Sequence, residues 1–104
     1  SQASQIWQYD LDGKNFTKVY TTDRGATWPQ WKPDGSGCYM ASAKNGNFNL
    51  HEYDIASGTD RQLTNFADDS VVQLCMARDG RTIVFRHLFD LYSYRPGNGS
   101  PPYL

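Results

Sequence analysis

The sequence has no long apolar run, no dominant charge and only two cysteines. No apolar stretch approaches about 18 residues, so none is long enough for a membrane-crossing helix. Ten Lys and Arg against 11 Asp and Glu give a net charge of -1. The basic residues are scattered, and the electrostatic footprint of a nucleic-acid binder is missing. Cys38 and Cys75 form no CxxC pair, so the usual zinc signature is absent. Two buried thiols on strands are expected, since free Cys behaves as a small hydrophobe. A disulfide is the alternative, and spacing does not decide it. No segment shows an apolar period of 3.6 over about 11 residues, so essentially no α-helix is expected. The opening Ser1-Gln2-Ala3-Ser4-Gln5 is polar and lacks the order of a signal peptide. Either none existed, or it was removed, or this is an internal segment.

What the chain has is aromatic and β-branched residues in short runs. Aromatics make up 14% of 104 residues, with seven Tyr, and such rings pack well on a pleated sheet. Mean hydropathy is -0.69, lean but globular. Ile6–Leu11 reads as a strand that Asp12-Gly13 turns into Phe16–Thr21. Thr27–Trp31 follows the loop Asp23-Arg24-Gly25. Pro33 cannot donate to a ladder, and Asp34-Gly35 supplies a tight turn into Gly37–Ser42. Lys44-Asn45-Gly46-Asn47 tips the next hairpin, into Phe48–Asp54. Ala56-Ser57-Gly58 turns to a short strand Asp60–Thr64, and Phe66-Ala67-Asp68-Asp69 is a loop. Val71–Ala77, Thr82–Arg86 and Phe89–Tyr94 complete the strands. The tail from Pro96 to Pro102 is rich in breakers. Short connections make neighbouring strands antiparallel.

The strands repeat. Ile6-Trp7-Gln8-Tyr9-Asp10 matches Leu50-His51-Glu52-Tyr53-Asp54, 44 residues on. Trp31-Lys32-Pro33-Asp34-Gly35 matches Met76-Ala77-Arg78-Asp79-Gly80, 45 residues on. Phe48–Tyr53 matches Phe89–Tyr94, 41 residues on, and Val19 falls opposite Leu63. A four-stranded unit of roughly 40–45 residues is the signature of a β-propeller blade. The expected fold is therefore all-β, a partial propeller of four-stranded antiparallel blades. Strands C and D of one blade occupy 5–22, a full blade 26–65, and strands A to C of a third 70–95. The propeller segment covers 1–97 and the Pro/Gly-rich tail 98–104. Propellers typically need 4–8 blades, and two and a half leave sheet edges open. The chain is expected to be part of a longer protein, or else to close with other copies of itself.

These residues carry a resemblance. Trp31-x-Pro33-Asp34-Gly35, Leu50-x-x-Tyr53-Asp54 and Arg61-Gln62-Leu63-Thr64 resemble the WD40-like (PD40) repeats of TolB and of tricorn-type proteases. Arg61–Asn65, leading to Arg78–Phe85 and Asp90-Leu91-Tyr92, is similar to the N-terminal propeller of tricorn-like peptidases of the S41 group. The resemblance covers about residues 5–97. Ala77-Arg78 replaces the usual Ser-Pro, and Lys32 the usual Ser. The resemblance implies a non-catalytic module that guides peptides or docks other subunits, the nucleophilic serine lying in a separate region with no match here. On the TolB side it implies protein binding in the periplasm, with a cytoplasmic setting as the alternative. Implied partners are further blades and a catalytic domain, other copies of the chain, peptides or proteins. A fragment of a propeller enzyme, prolyl-oligopeptidase-like or oligogalacturonate lyase-like, is the third reading.

No catalytic, cofactor or metal residue is assigned from the sequence. His51 and His87 fall in different blades on non-equivalent strands, so a shared dyad or metal site is not expected. Asp68-Asp69 could be an acid–base pair, but adjacent loop residues usually point apart. Ser42 and Ser70 lack a GxSxG elbow. Asp10 and Asp54 fit Asx-type turns, and Asp12, Asp34 and Asp79 turn chemistry. Lys44–Asn49 superficially resembles a calcium loop but lacks the carboxylates. Trp28, Trp31, Tyr39, Phe48, Tyr53, Phe85, Phe89 and Tyr94 are expected to pack between blades. Trp7, Trp28 and Tyr92 are the aromatics to check for exposure, since exposed rings can anchor a peptide.

Overall fold

The computed structural model describes residues 4–10, 15–22, 24–68, 70–88 and 90–97. The expected turn at Asp12-Gly13, Asp23, Asp69, Phe89 and the tail 98–104 lie outside the described residues, as do the side chains of Tyr9, Asp10 and Val19. Nine strands run in order: β1 (Ser4–Asp10), β2 (Asn15–Thr22), β3 (Ala26–Trp31), β4 (Gly37–Ser42), β5 (Asn49–Asp54), β6 (Thr59–Gln62), β7 (Val71–Met76), β8 (Ile83–His87) and β9 (Asp90–Tyr94). Among the described residues there is no helix. The strands form three antiparallel sheets, ordered β1-β2, β3-β4-β5-β6 and β7-β8-β9. They pack in succession, with the second sheet between the other two, as successive blades do.

Burial follows from that stacking. β4 is buried along its whole length, because both of its faces are covered. Met40 packs with Ile6 and Tyr20 of the first sheet, while Tyr39 and Ala41 join Val71, Leu74, Ile83, Phe85 and Tyr94 of the third. β8 buries only alternate residues, Ile83, Phe85 and His87, since its other face has no neighbour among the described residues. Burying each large apolar side chain contributes about 1.5–3 kcal/mol.

The two Pro/Asp-Gly hairpins close alike. Lys32 N–H bonds Gly37 O at 2.9 Å, and Ala77 N–H bonds Thr82 O at 2.8 Å. Gly80, with φ +68, faces the ring of Pro33, where an added Cβ would come within 2.9 Å of Cγ. The hairpin of one blade therefore rests on that of the next.

Both inner strands carry the same irregularity. Register slips between Thr27 and Gln30 in β3 and between Val72 and Cys75 in β7. Trp28 (φ 58) and Gln73 (φ 57) occupy the same repeat position and both adopt left-handed backbone. Gln30 Oε1 accepts from Met76 N–H at 3.1 Å and ties the two inner strands together.

Two expectations are corrected. Cys75 is exposed, while Cys38 is buried, and both are free thiols. Cys75 pairs with Val84 on the face of the third sheet turned away from the second, where none of the described residues covers it. Trp28 is 43% exposed rather than packed, because the bulge turns its side chain out of the interface.

Candidate functional site

Polar chemistry concentrates where sheets meet. Between the first and second sheets, Tyr20 O–H donates to Asp60 Oδ2 at 2.8 Å, and His51 Nδ1–H donates to Asp60 Oδ1 at 2.7 Å. A phenol has one hydrogen, so Ser42 Oγ–H is the donor in its 3.0 Å contact with Tyr20. Lys44 Nζ adds a 3.5 Å contact to Asp60 Oδ2. Burial pushes the Asp60 carboxyl up, but the hydrogen bonds from His51 and Tyr20 outweigh it and hold the group below its ordinary value. Burial pushes Tyr20 the other way, above the ordinary phenol range. The result is a satisfied carboxylate and a phenol that keeps its proton. His51 Nε2 is buried and has no hydrogen-bond partner among the described residues, so the imidazole offers no exposed base.

His87 lies at the other interface. Its ring stacks on Phe66 at 3.7 Å, and Phe66 meets Tyr92 edge-on at 5.4 Å. Its Nε2 lies 3.2 Å from Asp68 Oδ1 without an aligned hydrogen bond. His51 and His87 are thus engaged at different interfaces, each with its own carboxylate. Among the described residues no group of three or more His, Cys, Asp or Glu could hold a metal ion.

The turn aspartates work locally. Asp54 Oδ2 accepts from Ser57 N–H at 2.9 Å and Ser57 Oγ–H at 2.7 Å. Asp34 Oδ1 accepts from Ser36 N–H, and Asp79 Oδ1 from Arg81 and Thr82 N–H. These bonds hold all three carboxyls below the usual range.

Among the described residues, two concavities stand out. A cleft of about 390 Å³ opens between the paired hairpins, lined by Lys32, Pro33, Asp34, Tyr39, Asp79, Gly80, Arg81 and Pro96. Behind it Glu52 is held by Lys32 at 2.5 Å and Arg61 at 2.6 Å, with Tyr39 O–H at 3.3 Å. Burial raises the Glu52 carboxyl, and the two cations more than reverse it. A second groove, of about 310 Å³, is lined by carboxamides of the Lys44–Asn49 tip and by Gln62 and Asn65. Neither the Tyr20–Asp60–His51 chain nor the carboxamide groove was legible in the sequence. The run of Asn at 45, 47 and 49 is the one sequence feature that could have pointed to the groove.

Trp7 is 49% and Trp28 43% exposed. Tyr92 is half-buried, stacked on Phe85 at 5.4 Å. Among the described residues the free ring surfaces are therefore those of the two tryptophans.

No protein-family model matches the chain. A tricorn protease homolog of Saccharolobus solfataricus is 31% identical over 98 residues, 92% of this chain and 9% of the relative. Dipeptidyl-peptidase 5 of Porphyromonas gingivalis is 34% identical over 109 residues, 96% of this chain and 15% of the relative. The crystal structure of TolB from Acinetobacter baumannii superposes with a TM-score of 0.71 at 20% identity, over 92% of this chain and 25% of that one. The chain thus spans a small part of each relative, and its fold is that of a partial β-propeller.

Proposed function

We propose that this chain, whose blades are of the tricorn and TolB repeat type, is a non-catalytic propeller segment of a tricorn-like S41 serine peptidase, scaffolding the enzyme and guiding peptide substrates. One observation carries this reading: Asp60 and the two buried imidazoles are engaged where sheets meet, while Trp28 and Gln73 stand exposed at matched bulges of the two inner strands. Strained backbone retained in successive repeats points to a use for the side chain that it presents. An exposed tryptophan is a fitting anchor for a passing peptide. Two relatives bear peptidase names, which supports a parent enzyme of that class.

A second reading is a TolB-like protein-interaction propeller. Trp7 favours it, being exposed opposite Lys18 in the first sheet. The test is a titration of an unstructured peptide against the chain, followed by tryptophan fluorescence and by mass spectrometry of the peptide. Binding without cleavage, weakened about tenfold by Trp28→Ala, is expected. Weakening by Trp7→Ala alone would favour the second reading. Turnover that disappears in His51→Ala or His87→Ala would overturn the non-catalytic role.

A further inference from the structure

The carboxamide groove lies between the Lys44–Asn49 tip and the connection after β6, and none of the described residues that line it is charged. Three side-chain amides run through it in a row. Asn45 Nδ2 donates to Gln62 Oε1 at 2.9 Å, and Gln62 Nε2 donates to Asn65 Oδ1 at 3.1 Å and to Thr64 O at 2.8 Å. A carboxamide offers an acceptor oxygen and two donor hydrogens. The row therefore ends in an acceptor, Asn45 Oδ1, and a donor, Asn65 Nδ2. Head-to-tail amides polarise one another and strengthen both ends.

Asn49 anchors the floor beneath the row. Asn49 is 3% exposed. Its Oδ1 accepts from Thr64 Oγ1–H at 2.7 Å and Phe66 N–H at 2.8 Å, and its Nδ2 donates to Phe66 O at 3.1 Å. Asn45 and Asn65 are exposed, and each is steered by its own hydrogen bond to Gln62 above this floor, which lowers part of the ordering cost of binding.

We propose that this groove binds the main chain of an extended, uncharged peptide segment. Asn45 Oδ1 accepts a peptide N–H, and Asn65 Nδ2 donates to a peptide C=O. A neutral donor–acceptor pair matches the edge of an extended strand, which presents both groups. The ring of Phe66 is engaged by His87 and Tyr92, which favours a peptide over a sugar that would stack on it. The ligand class rests on the peptide-guiding reading; the location and the contacts rest on the amide row.

The test is a ¹⁵N NMR titration of the chain with a peptide of alternating Ala and Gly, acetylated and amidated at its ends. The side-chain NH₂ signals of Asn45 and Asn65 are expected to shift. Asn65→Asp replaces the donor by an anionic acceptor and is expected to weaken binding about tenfold, with the backbone spectrum unchanged elsewhere. If the peptide shifts other residues and leaves these two amides unmoved, the groove assignment fails and the peptide-guiding reading stands. If nothing shifts at millimolar peptide, both fail. If an oligosaccharide moves the two amides and the peptide does not, the groove is a sugar site and the proposal is overturned.

Discussion

Leu50 and Leu91 occupy the same place in successive repeats, yet Leu50 is wholly buried and Leu91 is 63% exposed. Leu50 packs against the third sheet. Leu91 faces outward from that sheet, paired with Arg86, and the described residues put nothing over it. Leu50→Ala is expected to cost about 2–5 kcal/mol, while Leu91→Ser stays within about 0.5 kcal/mol. Denaturant midpoints of the two variants check this, and equal losses would refute it.

The same open face favours association. Sedimentation of the chain is expected to show concentration-dependent self-association, since an exposed apolar face seeks cover. Leu91→Asp should shift the chain toward monomer. A monomer at every concentration would show that this face is inert.

The link from Tyr20 to Asp60 to His51 sets an acid limit. The Asp60 carboxyl sits below its ordinary value in the folded chain. Its contribution is therefore complete above that ordinary value and is lost as pH falls through the folded one. Unfolding midpoints recorded between about pH 5 and pH 2 should fall more steeply for the parent chain than for Asp60→Asn. At neutral pH, Asp60→Ala should cost about 3 kcal/mol and Tyr20→Phe about 1 kcal/mol.

The two thiols should separate cleanly. Burial pushes Cys38 up to about 11, so little thiolate forms near neutrality, and its sulfur is out of reach. Cys75 is exposed. Maleimide followed by mass spectrometry should label Cys75 alone in the native chain and both residues after denaturation. Native labelling of Cys38 would contradict the packing of β4.

Gly37 is fixed by contact. A Cβ there would sit 1.9 Å from the carbonyl oxygen of Tyr53, a clash with backbone that no rotamer relieves. Gly37→Ala is expected to cost at least about 3 kcal/mol, read from the thermal midpoint.

Much of the fold was legible because it is written more than once. Asp34-Gly35 and Asp79-Gly80 mark the same hairpin at a fixed interval, so each instance checks the other. The continuous run Cys38-Tyr39-Met40-Ala41 already pointed to a strand. Contacts between sheets were not legible. Tyr20 and Asp60 are 40 residues apart, and neither stands in a motif. The exposure of Trp28 and Cys75 depends on a register slip and on which sheet face is covered, and periodicity reports neither. Ser42 and His87 share a repeat position yet serve unlike interfaces, so the repeat itself misleads about side-chain roles.

The bulges at Trp28 and Gln73 have a further consequence for the edges of the sheets. A bulged inner strand is bent and cannot serve as a straight template for another chain, and Pro29 removes one donor from β3 as well. β6 defends its own edge by being four residues long and carrying Asp60 and Arg61. Among the described residues β9 has less protection, a single charge at Asp90. It runs unbroken in register along β8, with neither bulge nor proline nor lysine. Fibril growth from this chain should therefore begin at Asp90–Tyr94, and a lysine placed there should delay it.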